Sequence, residues 1–211
     1  MLFKHWFWDF DGTLYDTYPL VVEDFAKALQ DAGLFADIQG LLAQVKTTLY
    51  GAALTHAKGD EKLADWLLDR YQFYAGARTN EELRPYPLAG DMLKAVTENG
   101  GFNYLYTHRD MSAVAALTND HLWQYFSGRV TKEDGFPYKP KPDALNHLLG
   151  LHRLEKAQCC MVGDRDIDLD AAKNAGIAPV LFDPDGFYSH YDTPYRFASY
   201  QDMLQVLKLN P

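Results

Sequence analysis

Two hydrophobic regimes alternate along the chain. Short, nearly continuous apolar runs occur at Lys4–Phe10 (KHWFWDF), Phe102–Tyr106 (FNYLY), Cys159–Val162 (CCMV) and Ala178–Phe182 (APVLF). Runs of this length suit strands covered on both faces, as in a parallel sheet. Between them, apolar residues recur at helical spacing over Leu88–Glu98, Met111–Leu117, Pro142–Leu149 and Asp168–Ala175. Asn99-Gly100-Gly101 and Gly176 stand where such helices stop. Strands alternating with helices predict βαβ units, hence an α/β fold built on a doubly wound parallel sheet.

One region breaks the alternation. From Thr17 to Arg84 no strand pattern occurs, only helix-like stretches at Leu20–Ala32, Gly40–Ala57 and Asp60–Gly76 with apolar residues three and four apart. Pro85-Tyr86-Pro87 then returns the chain to alternation. The pattern predicts a helical subdomain, residues 17–84, inserted into a core made of residues 1–16 and 85–211. Asp185–Arg196 reads as an ordered loop before a last helix at Tyr200–Leu207.

Composition removes several alternatives. Of 211 residues, 47% are hydrophobic and 23% charged, ordinary globular usage that excludes wholesale disorder. Twenty Lys and Arg against 29 Asp and Glu give a formal net charge of −9, which disfavours nucleic acid as a partner. No apolar run approaches the roughly 20 residues of a membrane span, and the opening Met1-Leu2-Phe3-Lys4-His5-Trp6 lacks the marks of a secretory signal. A cytoplasmic chain acting as a monomer or homodimer is expected. Cys159 and Cys160 are sequence neighbours, poorly placed to bridge each other and read as buried, inert thiols.

Four polar features fall at strand ends, where open α/β sheets place ligands. In Asp9-Phe10-Asp11-Gly12-Thr13-Leu14, carboxylates two residues apart can project to the same side of a strand, and Gly12 permits a tight turn close to an anion. Tyr106-Thr107-His108-Arg109 offers a hydroxyl and backbone N–H groups to phosphate oxygens. In Lys139-Pro140-Lys141-Pro142-Asp143, the prolines stiffen the approach to a helix and can aim one ammonium. Val162-Gly163-Asp164-Arg165-Asp166-Ile167-Asp168 concentrates more carboxylates than a helix N-terminus requires. Such carboxylates repel one another unless a cation offsets them, and hard oxygen ligands suit Mg²⁺.

Taken in order, the four features resemble the motifs of the haloacid dehalogenase-like (HAD) hydrolase superfamily, in its helical-capped phosphatase branch similar to phosphoglycolate phosphatases. The likeness spans nearly the whole chain. It implies a Rossmann-like core with an inserted helical cap and Mg²⁺ as cofactor. It also implies hydrolysis of a small phosphorylated metabolite through an aspartyl-phosphate on Asp9. Asp11 would serve as general acid and base. The metal would be held by Asp9, the Asp11 backbone carbonyl, Asp164 and Asp168, the last as direct ligand or as an orienting group. Thr107, Lys139 and the backbone amides of Gly12 and His108 would bind the phosphoryl group.

Details narrow the choice. Asp11, absent from the dehalogenases that name the superfamily, favours phosphoryl transfer. Val21 stands where mutase members carry a proton-transferring histidine, which argues against a phosphosugar mutase. A non-catalytic phosphometabolite-binding protein is disfavoured by the intact acidic set. Lys141 reads as solvated, Asp166 as a helix N-terminal acid, and Arg109 and Arg165 as surface arginines flanking the site. His5 and His56 read as structural. Tyr50, in the segment where related caps bring a loop over the site, reads as a cap core residue.

Overall fold

The computed structural model describes residues 2–206. In chain order the elements are β1 (His5–Trp8), α1 (Tyr18–Asp31), α2 (Ile38–Thr47), α3 (Leu49–His56), α4 (Glu61–Gly76), α5 (Ala89–Glu98), β2 (Phe102–Tyr106), α6 (Ser112–Asn119), β3 (Phe126–Val130), α7 (Asp143–Leu151), β4 (Cys159–Gly163), α8 (Asp166–Ala175), β5 (Ala178–Phe182), β6 (Arg196–Phe197) and α9 (Tyr200–Val206). The chain divides into two compact units: Asp16–Leu83, and the segments on either side of it.

The two-segment unit is a parallel sheet in the order β3-β2-β1-β4-β5-β6, an α/β, Rossmann-like arrangement. β1 runs through its middle, and His5, Trp6, Phe7 and Trp8 are all buried, as the apolar run at the start of the chain predicts. Burying an indole requires a partner for its N–H. Trp8 Nε1 donates to Asn103 Oδ1 at 2.8 Å, and Asn103 Nδ2 donates onward to the Leu93 carbonyl at 3.0 Å. On one face Phe7, Tyr104, Leu145, Leu148, Met161 and Ala172 belong to a single apolar cluster. Cys159 and Cys160 are buried free thiols; burial raises Cys159 to about 11 and Cys160 well above its usual value. Both cysteines are packing residues.

Two strands have no counterpart in the apolar pattern. β3 lies at the sheet edge, so its Phe-Ser-Gly-Arg-Val sequence is only partly covered. Its glycine leaves room for the His152 ring: a Cβ at Gly128 would lie 2.8 Å from His152 Nε2 and 3.3 Å from Tyr104. β6 has two residues, too few for a periodicity. Leu207, expected in the last helix, lies outside the described residues.

Unit Asp16–Leu83 is all helical. The Gly40–Ala57 stretch is two helices, not one: Thr48 is extended at φ −165°, ψ 134°, and Gly51 leaves room for its methyl, which a Cβ would meet at 2.6 Å. Tyr18, Val22, Phe25, Leu29, Leu41 and Leu67 share one apolar core. Asp37 caps α2 by accepting from Gly40 N–H at 2.8 Å, and Asp60 caps α4 through the Lys62 and Leu63 N–H groups. Asp24, buried on α1, is held by Arg78 through Nε at 2.5 Å and Nη2 at 2.8 Å. Val21 packs against the core of this unit, and Tyr50 is exposed, so the expected burial of Tyr50 does not hold. His56 is fixed by Gln44 Oε1 at 2.9 Å.

Candidate active site

Parallel pairing brings three strand ends level. Trp8 lies opposite Leu105 on β2 and Val162 on β4. The residues that follow, Asp9, Thr107 and Asp164, therefore emerge at one edge. This edge includes the carboxyl ends of β1 and β4, where the strand order reverses direction, the place at which open α/β sheets bind ligands.

Three carboxylates converge there. Asp9, Asp164 and Asp168 are buried, and each offers an oxygen within 4.8 Å of the others. The Asp9 N–H donates to the Val162 carbonyl at 3.0 Å, which ties the turn after β1 to β4. Asp168 arrives from the first turn of α8 and lies directly over Gly163, where a Cβ would come 2.2 Å from its own Cβ. The glycine before Asp164 is thus what lets Asp168 approach. Asp168 Oδ2 accepts from the Arg165 N–H at 3.2 Å, and Thr13 Oγ1 donates to Asp164 Oδ1 at 3.5 Å.

Lys139 reaches into this group. Its Nζ stands 2.6 Å from Asp9 Oδ1 and 2.7 Å from Asp168 Oδ1, and 4.5 Å from the centre of the Tyr106 ring. The expectation that one of the two lysines is aimed while the other is solvated corresponds to what is found: Lys139 is buried and Lys141 exposed.

Three carboxylates against one ammonium leave a negative surplus. Burial in the first place, then repulsion from Asp168 and Asp164, push the Asp9 carboxyl up to about 7 in spite of Lys139. At Lys139 burial opposes the charge, but Asp168 and Asp9 outweigh it and hold the ammonium above its usual range. The lysine keeps its proton, and the surplus falls on the carboxylates. A divalent cation relieves that surplus, and a buried set of hard oxygen donors fits Mg²⁺.

The other expected residues are placed as follows. Thr107 is buried just beyond β2, and its Oγ1 accepts from the Arg109 N–H at 3.0 Å. The His108 side chain has a part that the sequence did not suggest: its Nε2 accepts the Lys139 backbone N–H at 2.9 Å. Burial, followed by the Lys139 charge, lowers its pKa to about 3, which keeps the ring neutral and able to accept. Gly12 does adopt the left-handed turn, with φ 77°. Its N–H, however, donates to the Tyr15 carbonyl at 2.8 Å. The expected backbone donor to phosphate is engaged in closing its own turn.

Asp11 also departs from the simplest reading. Its carboxylate is paired with Arg109, whose Nη2 lies 2.6 Å from Oδ1 and whose Nε lies 3.2 Å from both oxygens. Arg109 is therefore not a solvated surface arginine. The signal was its place two residues after Thr107; the residue type alone could not reveal it. Asp166 is exposed in the first turn of α8, as expected of a helix N-terminal acid.

Known proteins show the family to which the chain belongs. The family profile described as haloacid dehalogenase-like hydrolase matches residues 7–182. A phosphoglycolate phosphatase of Vibrio parahaemolyticus is 30% identical over 190 residues, covering 81% of this chain and 79% of its own length. A pyrophosphatase, PpaX, of Halalkalibacterium halodurans is 22% identical over 206 residues, covering 94% of each. Among solved structures, a haloacid dehalogenase-like family hydrolase from Streptococcus pneumoniae superposes with a TM-score of 0.76 at 19% identity, covering 97% of this chain and 98% of its own. The chain belongs to the haloacid dehalogenase-like hydrolases. Within them it is an enzyme of the phosphatase kind, similar to the phosphoglycolate phosphatases. Among the described residues, no helix is long and apolar enough to cross a membrane.

Proposed function

We propose that this enzyme is a Mg²⁺-dependent phosphatase that hydrolyses small phosphate monoesters through an aspartyl-phosphate on Asp9. The observation that carries the reading is the buried convergence of Asp9, Asp164 and Asp168 around Lys139. Asp9 Oδ1 is held by Lys139, which leaves the other oxygen of that carboxylate to attack phosphorus in line with the ester oxygen. Asp164 and Asp168, with Asp9 and the Asp11 carbonyl, would hold Mg²⁺, which when bound supplies positive charge against the phosphoryl oxygens.

The remaining residues act on the phosphoryl group and on protons. Lys139 neutralises the charge that develops on the transferring oxygens, and the Thr107 hydroxyl donates to one of them. The His108 backbone amide is a further donor, while its ring seats the backbone of Lys139. Asp11 gives a proton to the leaving oxygen as the P–O bond breaks, then takes one from the water that attacks the aspartyl-phosphate.

Unit Asp16–Leu83 is read as the helical cap subdomain of this branch, with substrate choice as its role. By likeness to the phosphoglycolate phosphatases, 2-phosphoglycolate is the first candidate substrate, and a cytoplasmic enzyme, monomeric or homodimeric, is the matching setting. Val21 carries no titratable group, which disfavours mutase chemistry. The test is phosphate release from p-nitrophenyl phosphate and from a panel of small esters, with and without Mg²⁺. Mg²⁺-dependent turnover that disappears in Asp9→Asn supports the reading, and full activity of that variant removes Asp9 as nucleophile.

A further inference from the structure

The two acids of the first motif each have their own cation, drawn from a different loop. Asp9 is held by Lys139, from the segment before α7. Asp11 is held by Arg109, from the turn after β2. The first pair is buried, with side chains 1% and 6% exposed, whereas the second is partly exposed, at 27% and 36%. A half-buried carboxylate on a turn has several rotamers available, and something must select one of them.

Arg109 is built to do this. Its backbone is tied at both ends: the N–H donates to Thr107 Oγ1 at 3.0 Å, and the carbonyl accepts from the Lys132 N–H at 3.0 Å. Its guanidinium lies 5.4 Å from the centre of the Phe10 ring. That ring is stacked on Tyr15 at 4.4 Å, and Tyr15 in turn donates to Asp120 Oδ2 at 2.6 Å. The guanidinium is thus seated on an aromatic floor and presents Nε and Nη2 to a single carboxylate. A planar fork fixes both oxygens of its partner, which a lysine ammonium, as a point charge, cannot do.

We infer that Arg109 is the positioning residue for Asp11, setting where the carboxyl group stands and thereby governing protonation of the leaving oxygen. The inference rests on the phosphatase reading above. In the first half-reaction an Asp9 oxygen–phosphorus bond forms and the ester P–O bond breaks. The proton of Asp11 goes to the departing alcohol and leaves a carboxylate for Arg109 to pair with. In the second half-reaction, water attacks the aspartyl-phosphate, releasing phosphate and restoring the proton to Asp11. Arg109 acts through Asp11 and touches no reacting atom.

The experiment compares Arg109→Gln and Arg109→Lys with the wild type on two esters, glycerol 1-phosphate and p-nitrophenyl phosphate. The ratio kcat/KM covers steps up to phosphorylation of Asp9, so it isolates departure of the leaving group. An alkoxide needs a proton to leave; nitrophenolate does not. For Arg109→Gln, kcat/KM on glycerol 1-phosphate is expected to fall by about 10²-fold, the range of general-acid assistance. On p-nitrophenyl phosphate it should change less than about 5-fold, with KM near wild type and partial rescue in Arg109→Lys. In an Asp11→Asn background, Arg109→Gln should add no further loss, because the positioned group is already gone.

Equal losses on both esters, a loss confined to KM, or a full additional loss in the Asp11→Asn background would each overturn the inference. So would a loss on 2-phosphoglycolate, assayed beside them, with none on glycerol 1-phosphate, since Arg109 would then be binding a substrate carboxylate. Wild-type turnover of a small phosphate monoester with Mg²⁺ is what the phosphatase reading itself requires. A chain inert toward these two esters, 2-phosphoglycolate and the rest of the panel overturns that reading and this inference together, whereas the other outcomes overturn the inference alone.

Discussion

Lys139 Nζ lies 2.6 Å from Asp9 Oδ1 with both side chains buried, and the same ammonium stands 2.7 Å from Asp168 Oδ1 in the cluster of three carboxylates. Replacing it by methionine keeps the length of the stem and removes the charge. Breaking a buried pair from one side costs about 3–5 kcal/mol. Lys139→Met is therefore expected to unfold at lower temperature, and Mg²⁺ should raise its midpoint more than it raises the wild type's. Thermal scans of both proteins with and without Mg²⁺ check this; equal shifts would mean that the ion and the ammonium do not share the same carboxylates.

Gly163 and Asp168 make a second pairing, of a different kind. A methyl at 163 would lie 2.2 Å from Asp168 Cβ, so Gly163→Ala must move Asp168 away from Asp9 and Asp164. Loss of a group that orients or completes a metal site weakens binding by about 10–100-fold. Mg²⁺ titration by calorimetry should return that weakening, with far-UV circular dichroism unchanged. An unaltered affinity would place the ion away from Asp168.

Much of this site is legible in the sequence, for a definite reason. Parallel strands in register bring their following residues to one edge, so Asp9, Thr107 and Asp164 could be collected from the ends of apolar runs without knowing any distance. Gly163 and Lys139 are legible in part, the first as a small residue between strand and acid, the second as a lysine stiffened by proline. Arg109 and the His108 ring are not. Arginine and histidine after a strand are common, and their roles depend on which loop faces them. The fold divides in the same way: β2 and β5 lie inside the sheet and are mostly buried, so they read clearly, while β3 is an edge strand whose Gly128 leaves room for His152, and Thr48 splits a helical stretch through its own extended backbone.

His108 gives the enzyme an acid-sensitive point. In the folded chain its pKa is lowered to about 3 from an ordinary 6.5 by burial and by the nearby Lys139. Above 6.5 both folded and unfolded chains keep the ring neutral, and no penalty applies. As pH falls from 6.5 towards 3, the unfolded chain takes up a proton that the folded one refuses, so stability declines by at most about 1.4 kcal/mol per pH unit. His108→Gln, which can still accept the Lys139 N–H through its amide oxygen, should lose that part of the slope. Urea unfolding of both proteins across this range measures it, and identical slopes would contradict the assignment.

Unit Asp16–Leu83 has its own dependence on one arginine. Arg78 binds the buried carboxylate of Asp24 through Nε and Nη2, and also pairs with Glu23 and Glu82. Arg78→Met takes away the two-pronged partner of the buried Asp24, leaving Lys27 Nζ at 3.6 Å, and is expected to cost about 3 kcal/mol, the lower end for breaking a buried pair. Hydrogen exchange should show the loss as faster exchange in α1 and α4, with the strands little affected. A uniform change throughout the chain, or none, would argue against a local role.

In the proposed reaction Asp9 carries the phosphoryl group between substrate and water. The most direct test is chemical trapping: acid quench during turnover of p-nitrophenyl phosphate with Mg²⁺, borohydride reduction, and mass spectrometry of the tryptic peptides. An acyl phosphate on Asp9 is reduced to homoserine, so the account predicts homoserine at position 9 in the wild type and none in Asp9→Asn. Turnover with position 9 unmodified, or homoserine at another aspartate, would contradict it.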